Sequence, residues 1–197
     1  MQERWNDNMK VVIVGGVAGG ATAAARIRRL NEQAEIVVFE RSGYISYANC
    51  GLPYYIGDAI TDPEELTLQT PESFFSRFRI MMKVLHEVTA IHHDRKTVSV
   101  RNLKTGEEFE EGYDKLILSP GAKPTQPKLS GMEADKLFTL RTVEDTFKIH
   151  AGTIDAHLTG QASGYTTVNY TDLFTSRMAK TNLWTPLLNT CLLYTSP

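Results

Sequence analysis

The feature that most constrains the fold is a short apolar run followed directly by closely spaced glycines. Residues 11–14 read Val-Val-Ile-Val, which is typical of a parallel strand covered on both faces. An alanine-rich helix is predicted from Ala21 to about Leu30. Between them lies the glycine turn, which consists of Gly15, Gly16, Val17, Ala18, Gly19 and Gly20. The order of strand, glycine turn and helix predicts the first part of a βαβ unit in an α/β fold.

The glycine turn has the properties that dinucleotide binding requires. Gly15 permits the tight turn, and Gly20 or Gly19 lets the helix and the strand approach closely. The free N–H groups at the helix N-terminus suit a pyrophosphate. Val17 stands at the middle glycine of G-x-G-x-x-G, so the strict pattern fails at one place. Glu40 ends a second apolar run at the spacing where an acid binds a ribose hydroxyl, and an acid there disfavours a 2′-phosphate.

Cys50 lies a few residues beyond the second predicted strand. Gly51 and Pro53 favour a turn into a short helix, which would place the thiol near a helix N-terminus. The partial positive charge there favours the thiolate, which is the reactive form of cysteine. Cysteines are more commonly buried and inert, but this one follows a predicted cofactor turn instead of lying inside an apolar run. We therefore interpret Cys50 as an accessible, reactive thiol.

The rest of the chain predicts short helices and further strands. Thr61-Asp62-Pro63 and Thr70-Pro71-Glu72 each indicate a helix start with proline just inside the cap. β-Branched and apolar residues predict strands at 35–40, 80–85, 88–92, 97–100 and 116–118. Turns at 94–96 and 104–106 predict a small antiparallel β-meander after the first βαβ unit. The run at 116–118 is expected to return as a buried parallel strand.

Composition excludes several classes of protein. The 197 residues are 42% hydrophobic with a net charge of −2, which allows one to two domains and gives no basic surplus for nucleic acid. No apolar run reaches the length of a membrane span, and residues 1–8 are too polar for a signal peptide. Two cysteines do not form a disulfide framework, which favours a cytoplasmic protein. No group of residues has the spacing of a metal site.

From Met9 to Thr146 the sequence resembles the N-terminal FAD domain of the coenzyme A-disulfide reductases, in the pyridine nucleotide-disulfide oxidoreductase superfamily, especially the branch with an appended rhodanese domain. The matching residues are the glycine turn with Ala21-Thr22, Ile27 to Leu30, Phe39-Glu40, Ser46 to Tyr55, Thr70 to Glu72, His86 to Val88 and Tyr113 to Ala122. The Ser-x-x-Asn-Cys-Gly-Leu-Pro-Tyr-Tyr run is highly specific, and Val17 is normal in this branch. The resemblance implies a three-layer FAD/NAD(P)-binding, Rossmann-like domain with a small antiparallel β-meander.

The resemblance also implies the chemistry. NAD(P)H would be the electron donor, and FAD would be held by Gly15, Gly16, Val17, Ala18, Gly19, Gly20, Glu40, Arg41, Val88, Ser119 and Gly121. Relatives similar to glutathione reductase use C-x-x-x-x-C, but the second place here is Tyr55. The implied partner of Cys50 is therefore coenzyme A, in a Cys–S–S–CoA mixed disulfide. The implied substrate contacts are Thr22, Arg26, Arg29, Ser46 and Asn49.

Two points on the substrate side stay open. Arg26 and Arg29 are three residues apart, so they share a helix face on which both can contact a phosphate. The alternative is a solvated helix end whose positive charges are favoured by the helix dipole. A lysine that some relatives use after Glu72 is absent, and residues 77–79 read Arg-Phe-Arg instead.

The resemblance stops near His150. We expect an N-terminal extension at 1–8, an FAD-binding domain at 9–149 and a tail at 150–197 that is non-native or disordered and lacks helical or strand periodicity. A diverged linker with a helix at 170–179 is the alternative. Relatives continue into a second dinucleotide-binding domain, so the fragment alone is expected to be inactive, and the longer parent is expected to be a homodimer.

Two further functions compete with disulfide reduction. One is an NADH oxidase or peroxidase, in which the single cysteine cycles through a sulfenic acid. Those relatives usually differ from this sequence around residues 48–53. The other is a truncated FAD-binding module without turnover.

Overall fold

The computed structural model of the protein describes residues 9–125 and 138–158. The described residues form, in chain order, β1 (Lys10–Val14), α1 (Ala18–Leu30), β2 (Glu35–Glu40), α2 (Leu52–Ile56), α3 (Pro71–Phe78), β3 (Met81–Val84), β4 (His86–His92), β5 (Thr97–Asn102), β6 (Glu108–Gly112), β7 (Lys115–Leu118) and α4 (Val143–Leu158). Short 3-10 turns cover Asn49–Gly51 and Pro63–Leu66. The predicted strand, glycine turn, helix and second strand at the start of the chain are confirmed, with α1 beginning at Ala18 instead of Ala21.

The central layer is a four-stranded parallel sheet in the order β3-β2-β1-β7. β1 pairs with β2 on one side and with β7 on the other, with Val14 opposite Phe39 and Leu118. The runs at 11–14 of β1 and 36–39 of β2 are apolar because both faces of these inner strands are covered. The carboxyl ends of β1, β2 and β7 therefore lie side by side at one edge of the sheet.

A helical layer covers one face of this sheet. Alanines and Ile27 of α1 pack against Val11, Ile13 and Val38, and Phe74 of α3 joins the same cluster. The small alanine side chains bring the helix close to the strands. The predicted start of α3 is confirmed by a capping box, in which the Thr70 hydroxyl accepts a hydrogen bond from the Ser73 N–H and the Ser73 hydroxyl accepts one from the Thr70 N–H.

The predicted antiparallel meander, formed by β4, β5 and β6 in that order, covers the opposite face. Val98 and Val100 of β5 pack against Val12, Val37 and Phe39 of the parallel sheet. Turns join the strands at 93–96 and 103–105, close to the predicted positions. The three-layer architecture expected from the sequence is therefore confirmed.

The predicted strand at 80–85 is confirmed as β3, which pairs in parallel with β2 and belongs to the main sheet and not to the meander. The left-handed backbone of Leu85, at φ 55°, turns the chain between β3 and β4. The strand at 116–118 was expected to be buried. β7 instead pairs with β1 alone among the described strands, and Leu118 is 57% exposed.

The helix α4 begins with a fully buried residue, Val143. Internal contacts divide the chain between Ile149 and His150, and the packing described below lies within the first unit. The helix continues to Leu158, where no helical periodicity was expected. The boundary of the tail stays a prediction, and the alternative helix at 170–179 lies outside the described residues. Among the described helices, no stretch is both long and apolar enough to cross a membrane.

Candidate functional site

The glycine turn lies at the carboxyl edge of the parallel sheet, where β1 and β7 end next to each other. Gly15 adopts φ 96°, a left-handed backbone conformation that favours glycine. A Cβ atom on Gly15 would overlap the carbonyl oxygen of Ser119. The Ser119 N–H in turn donates a hydrogen bond of 2.8 Å to the carbonyl of Val14. Glycine is therefore required at position 15 both by its backbone angle and by the neighbouring strand end.

The close approach between α1 and β1 depends on Gly20. A Cβ atom on Gly20 would overlap the carbonyl oxygen of Gly15, which is backbone and cannot easily move. A Cβ atom on Gly19 would meet only the side-chain hydroxyl of Ser119. Of the two glycines that the sequence offered for this role, the structure therefore assigns the helix-to-strand contact to Gly20.

Glu40, at the end of β2, lies beside the glycine turn. Its carboxylate accepts hydrogen bonds from the Gly16 N–H at 2.7 Å and from the Ser42 N–H at 2.8 Å. These bonds place the acid beside the glycine turn, as the strand order predicted. Each carboxylate oxygen can accept a further hydrogen bond. Glu40 is thus positioned to bind hydroxyl groups, such as those of a ribose, at the end of β2.

The N-terminus of α1 has the character of an anion site. Val17 precedes the helix without a side-chain cap, and no acidic residue stands in the first turn. Ala18 and Gly19 are exposed. The first N–H groups of a helix have no intrahelical partner and carry partial positive charge. Together with the glycines and Glu40, they fit the pyrophosphate and ribose of a dinucleotide.

The other predicted cofactor contacts, Arg41, Val88 and Gly121, differ in their surroundings. Arg41 is exposed, and its guanidinium lies 3.6 Å from the Glu87 carboxylate. Val88 pairs with Val100 just before a β-bulge in β4. Gly121 is exposed and adopts φ 73° shortly after β7. Their roles in cofactor binding stay predictions.

Two backbone hydrogen bonds attach the segment from Ser46 to Tyr55, here called the cysteine segment. Ser46 donates from its N–H to the Gly16 carbonyl at 3.2 Å, and its own carbonyl accepts from the Leu68 N–H at 3.1 Å. Ser46 has a left-handed backbone, with φ 48°. The cysteine segment is therefore fixed directly to the glycine turn at one end.

Cys50 is a free, exposed thiol. It lies in the 3-10 turn Asn49–Gly51, directly before the five-residue helix α2, in which Pro53 is the second residue. The predicted accessibility and the predicted place just before a helix are confirmed. The predicted stabilisation of the thiolate stays a prediction.

Apolar residues of the cysteine segment are buried in a small cluster with residues from other parts of the chain. Tyr47, Leu52, Leu66 and Val143 are buried together, and the ring of Phe147 lies 5.6 Å from that of Tyr55. Burial raises the pKa of Tyr47 above its usual value. Cys50 is therefore exposed, while neighbouring residues of the cysteine segment are packed in this apolar cluster.

A cavity of about 290 Å³ lies beside the cysteine segment, between α1 and α3. Three of the five predicted substrate contacts line it, namely Thr22, Arg29 and Ser46. The other two do not: Arg26 and Asn49 are exposed outside it.

The lining also includes Gln69, Phe74, Arg77 and Phe78, none of which was predicted as a contact. The helical spacing of Phe74, Arg77 and Phe78, at i, i+3 and i+4, was a signal that they share one face.

No group of three or more His, Cys, Asp or Glu side chains suited to a metal ion occurs within residues 9–125 and 138–158.

Fold and site together define a dinucleotide-binding α/β domain with an exposed thiol next to the dinucleotide turn. The family model described as pyridine nucleotide-disulphide oxidoreductase matches residues 9–183, and the chain belongs to this family. A relative from Staphylococcus aureus (strain bovine RF122 / ET3-1), named coenzyme A disulfide reductase, is 53% identical over 137 residues, which cover 70% of this chain and 31% of that protein.

Solved structures are similar to this chain as well. Reduced Bacillus anthracis CoADR-RHD matches with 53% identity and a TM-score of 0.72, over 76% of this chain and 27% of that one. The water-forming NADH oxidase from Lactobacillus brevis, bound to NADH, matches with 31% identity and a TM-score of 0.68, over 74% of this chain and 32% of that one. The chain thus spans about a third of the length of these relatives, or less.

Proposed function

We propose that the chain is the N-terminal, FAD-binding part of a flavin-dependent oxidoreductase that reduces coenzyme A disulfide, or coenzyme A persulfide, with NAD(P)H through Cys50. The observation that carries the proposal is the attachment of an exposed thiol to a dinucleotide turn. The Ser46 N–H bonds the Gly16 carbonyl, four residues before the cysteine. The 53% identity to relatives named coenzyme A disulfide reductase supports the choice of substrate.

The residues around the glycine turn suit FAD. The first N–H groups of α1 would hold the pyrophosphate, and the Glu40 carboxylate would bind the ribose. Ser119 and Gly121 would lie along the cofactor, Arg41 would contact it, and the backbone of Val88 would contact its adenine side. When bound, FAD would carry the reducing electrons from NAD(P)H to the disulfide. The second dinucleotide site and a homodimer interface would belong to the longer protein.

Cys50 would act by thiol–disulfide exchange. Its thiolate attacks one sulfur of coenzyme A disulfide, so that the substrate S–S bond breaks and a Cys50–S–S–CoA bond forms. One coenzyme A leaves as the thiolate and takes a proton from water. Tyr55 stands where related sequences have a second cysteine, so the mixed disulfide has no local thiol to resolve it. Two electrons are then needed to release the second coenzyme A and restore the Cys50 thiolate.

The main alternative is an NADH oxidase or peroxidase. It is favoured by the match to the Lactobacillus brevis oxidase, at 31% identity. In that case Cys50 would be oxidised to a sulfenic acid instead of being coupled to a thiol. An FAD-binding module without turnover is the remaining candidate for the chain by itself.

A longer protein that continues this segment into a second dinucleotide site provides the test. It should consume NADH or NADPH when coenzyme A disulfide is added, and Cys50→Ser should lower that rate by about a hundredfold or more. Oxygen and hydrogen peroxide serve as the competing acceptors. Robust disulfide reduction by the Ser variant would contradict the thiol mechanism, and faster turnover with oxygen or peroxide than with the disulfide would favour the oxidase.

A further inference from the structure

The start of α4 contacts the chain on both sides of Cys50. The Phe147 ring lies 6.2 Å from the ring of Tyr44, before the cysteine segment, and 5.6 Å from the ring of Tyr55, at its end. The interplanar angles are 69° and 75°, which is the edge-to-face arrangement that aromatic rings favour. One side chain of α4 therefore packs against residues that precede and follow the thiol.

The packing of α4 sets the position of Phe147. Val143, Thr146 and Phe147 are spaced i, i+3 and i+4, so they share one face of the helix. Val143 and Thr146 on this face are fully buried. The Glu144 carboxylate accepts a hydrogen bond of 2.9 Å from the Gly43 N–H, in the loop after β2. The first turns of α4 are therefore fixed to the domain by burial and by a hydrogen bond.

Tyr55 connects this aromatic contact to the thiol through α2, which begins two residues after Cys50. A helix of five residues is not stable by itself and depends on tertiary packing. Leu52 at the start of α2 is 1% exposed, and Tyr55 near its end packs in the same apolar cluster. These two side chains hold α2, so the direction of the helix depends on where Tyr55 is held.

Tyr55 also stands where relatives similar to glutathione reductase have the second cysteine of C-x-x-x-x-C. A disulfide bond between those two cysteines fixes the segment covalently. In this chain the end of the segment has an aromatic side chain packed on α4 in place of that bond.

We propose that Phe147 is a positioning residue for the reaction of Cys50. Through Tyr55 it holds α2, and with it the turn that carries the thiol, in the orientation in which the sulfur meets a bound disulfide. This inference rests on the proposed function and adds a residue to the same site. Cys50 is exposed, so Phe147 controls the alignment of the thiol and not its accessibility. A misplacement of about 1 Å can slow a reaction between aligned groups by about a hundredfold.

The test compares two reagents on the 197-residue chain. Coenzyme A disulfide has to bind beside the thiol, whereas methyl methanethiosulfonate is small and needs no binding site. The second reagent transfers its methylthio group to the Cys50 thiolate and releases methanesulfinate. Phe147→Leu keeps an apolar side chain but removes the ring. It should lower the second-order rate with coenzyme A disulfide about tenfold and leave the rate with methyl methanethiosulfonate within about twofold.

The matched control is Phe75→Leu on α3. Phe75 is 53% exposed and lines a cavity with residues at the amino ends of β2 and β3, so both rates should stay unchanged. Tyr55→Leu should reproduce the slowing, and adding Phe147→Leu to it should slow the reaction no further, because Phe147 acts through Tyr55. An unchanged rate with coenzyme A disulfide in Phe147→Leu, an equal slowing with both reagents, or additive effects of the two substitutions would overturn the proposal.

Hydrogen exchange distinguishes this proposal from the proposed function, because it involves no disulfide. The N–H groups of residues 57–59 donate hydrogen bonds to carbonyls of α2. In Phe147→Leu they should exchange about tenfold faster than in the wild type, measured by mass spectrometry, while the amides of β1 stay unchanged. If wild-type Cys50 does not react with coenzyme A disulfide while this difference is present, the thiol function fails and the role of Phe147 in holding α2 stands. Equal exchange in the two proteins, or equally faster exchange in β1, would overturn that role.

Discussion

The glycine turn and the cysteine segment lie at the same edge of the parallel sheet, but different contacts hold them. At the glycine turn, backbone meets backbone: positions 15 and 20 have no room for a Cβ atom. The cysteine segment is attached by hydrogen bonds at Ser46 and by apolar packing beneath it, and Cys50 itself is exposed. Mutations at the turn should therefore affect mainly folding, whereas mutations along the cysteine segment should affect mainly chemistry.

The largest expected effect is on folding, from Gly20→Ala. The added Cβ overlaps the Gly15 carbonyl, so α1 must move away from β1. We expect a loss of about 3 kcal/mol or more in the free energy of unfolding, measured by urea denaturation. Gly106→Ala is the control, because Gly106 has a positive φ but open space around it. It should cost only about 1 kcal/mol. Equal losses for the two variants would show that the close contact is not what the turn requires.

An intermediate effect is expected on cofactor affinity, from Glu40→Gln. The amide keeps the size of the side chain but removes the charge that favours ribose hydroxyls and the Gly16 and Ser42 N–H groups. FAD binding, followed by flavin fluorescence, should weaken about tenfold. Glu35→Gln, at the opposite end of the same strand, should leave FAD binding unchanged. An unchanged affinity in Glu40→Gln would remove the acid from the proposed cofactor site.

The smallest expected effect on stability is that of Ser46→Gly. Glycine tolerates the left-handed backbone at this position, and both backbone hydrogen bonds remain. The free energy of unfolding should change by no more than about 1 kcal/mol. The rate of exchange between Cys50 and coenzyme A disulfide should nevertheless fall, because Ser46 lines the cavity and the substitution removes its polar side chain. A large loss of stability without a change in rate would contradict the expectation that the cysteine segment affects mainly chemistry.

The same contrast explains what the sequence could predict. β1, the glycine turn, α1 and the acid at the end of β2 follow from residues close together in sequence, and their order was predicted correctly, although α1 begins three residues earlier than expected. The choice between Gly19 and Gly20 needed the three-dimensional approach of α1 to β1, because a Cβ atom on Gly20 would overlap the Gly15 carbonyl and one on Gly19 would not. β7 looked buried because its sequence is apolar, but burial depends on how many neighbouring strands and layers cover it.

The cavity was harder to predict because two distant helices form it. Arg26 and Arg29 are three residues apart and were expected to share one face of α1, yet only Arg29 lines the cavity. Arg77 lies almost fifty residues further along and reaches the same space because Arg28 ties the ends of α1 and α3 together. The helical spacing of Phe74, Arg77 and Phe78 could have placed them on one face of α3, but it does not show which element that face meets.

The most direct test of the proposed function is the intact mass of the chain after incubation with coenzyme A disulfide. We predict the addition of one coenzyme A per chain, located on Cys50 by peptide mapping, with release of one equivalent of coenzyme A thiol. Cys191→Ser should form the same adduct, and Cys50→Ser should not. An adduct of equal yield in Cys50→Ser, or no adduct in the wild-type chain, would contradict the assignment of Cys50 as the thiol that reacts with coenzyme A disulfide.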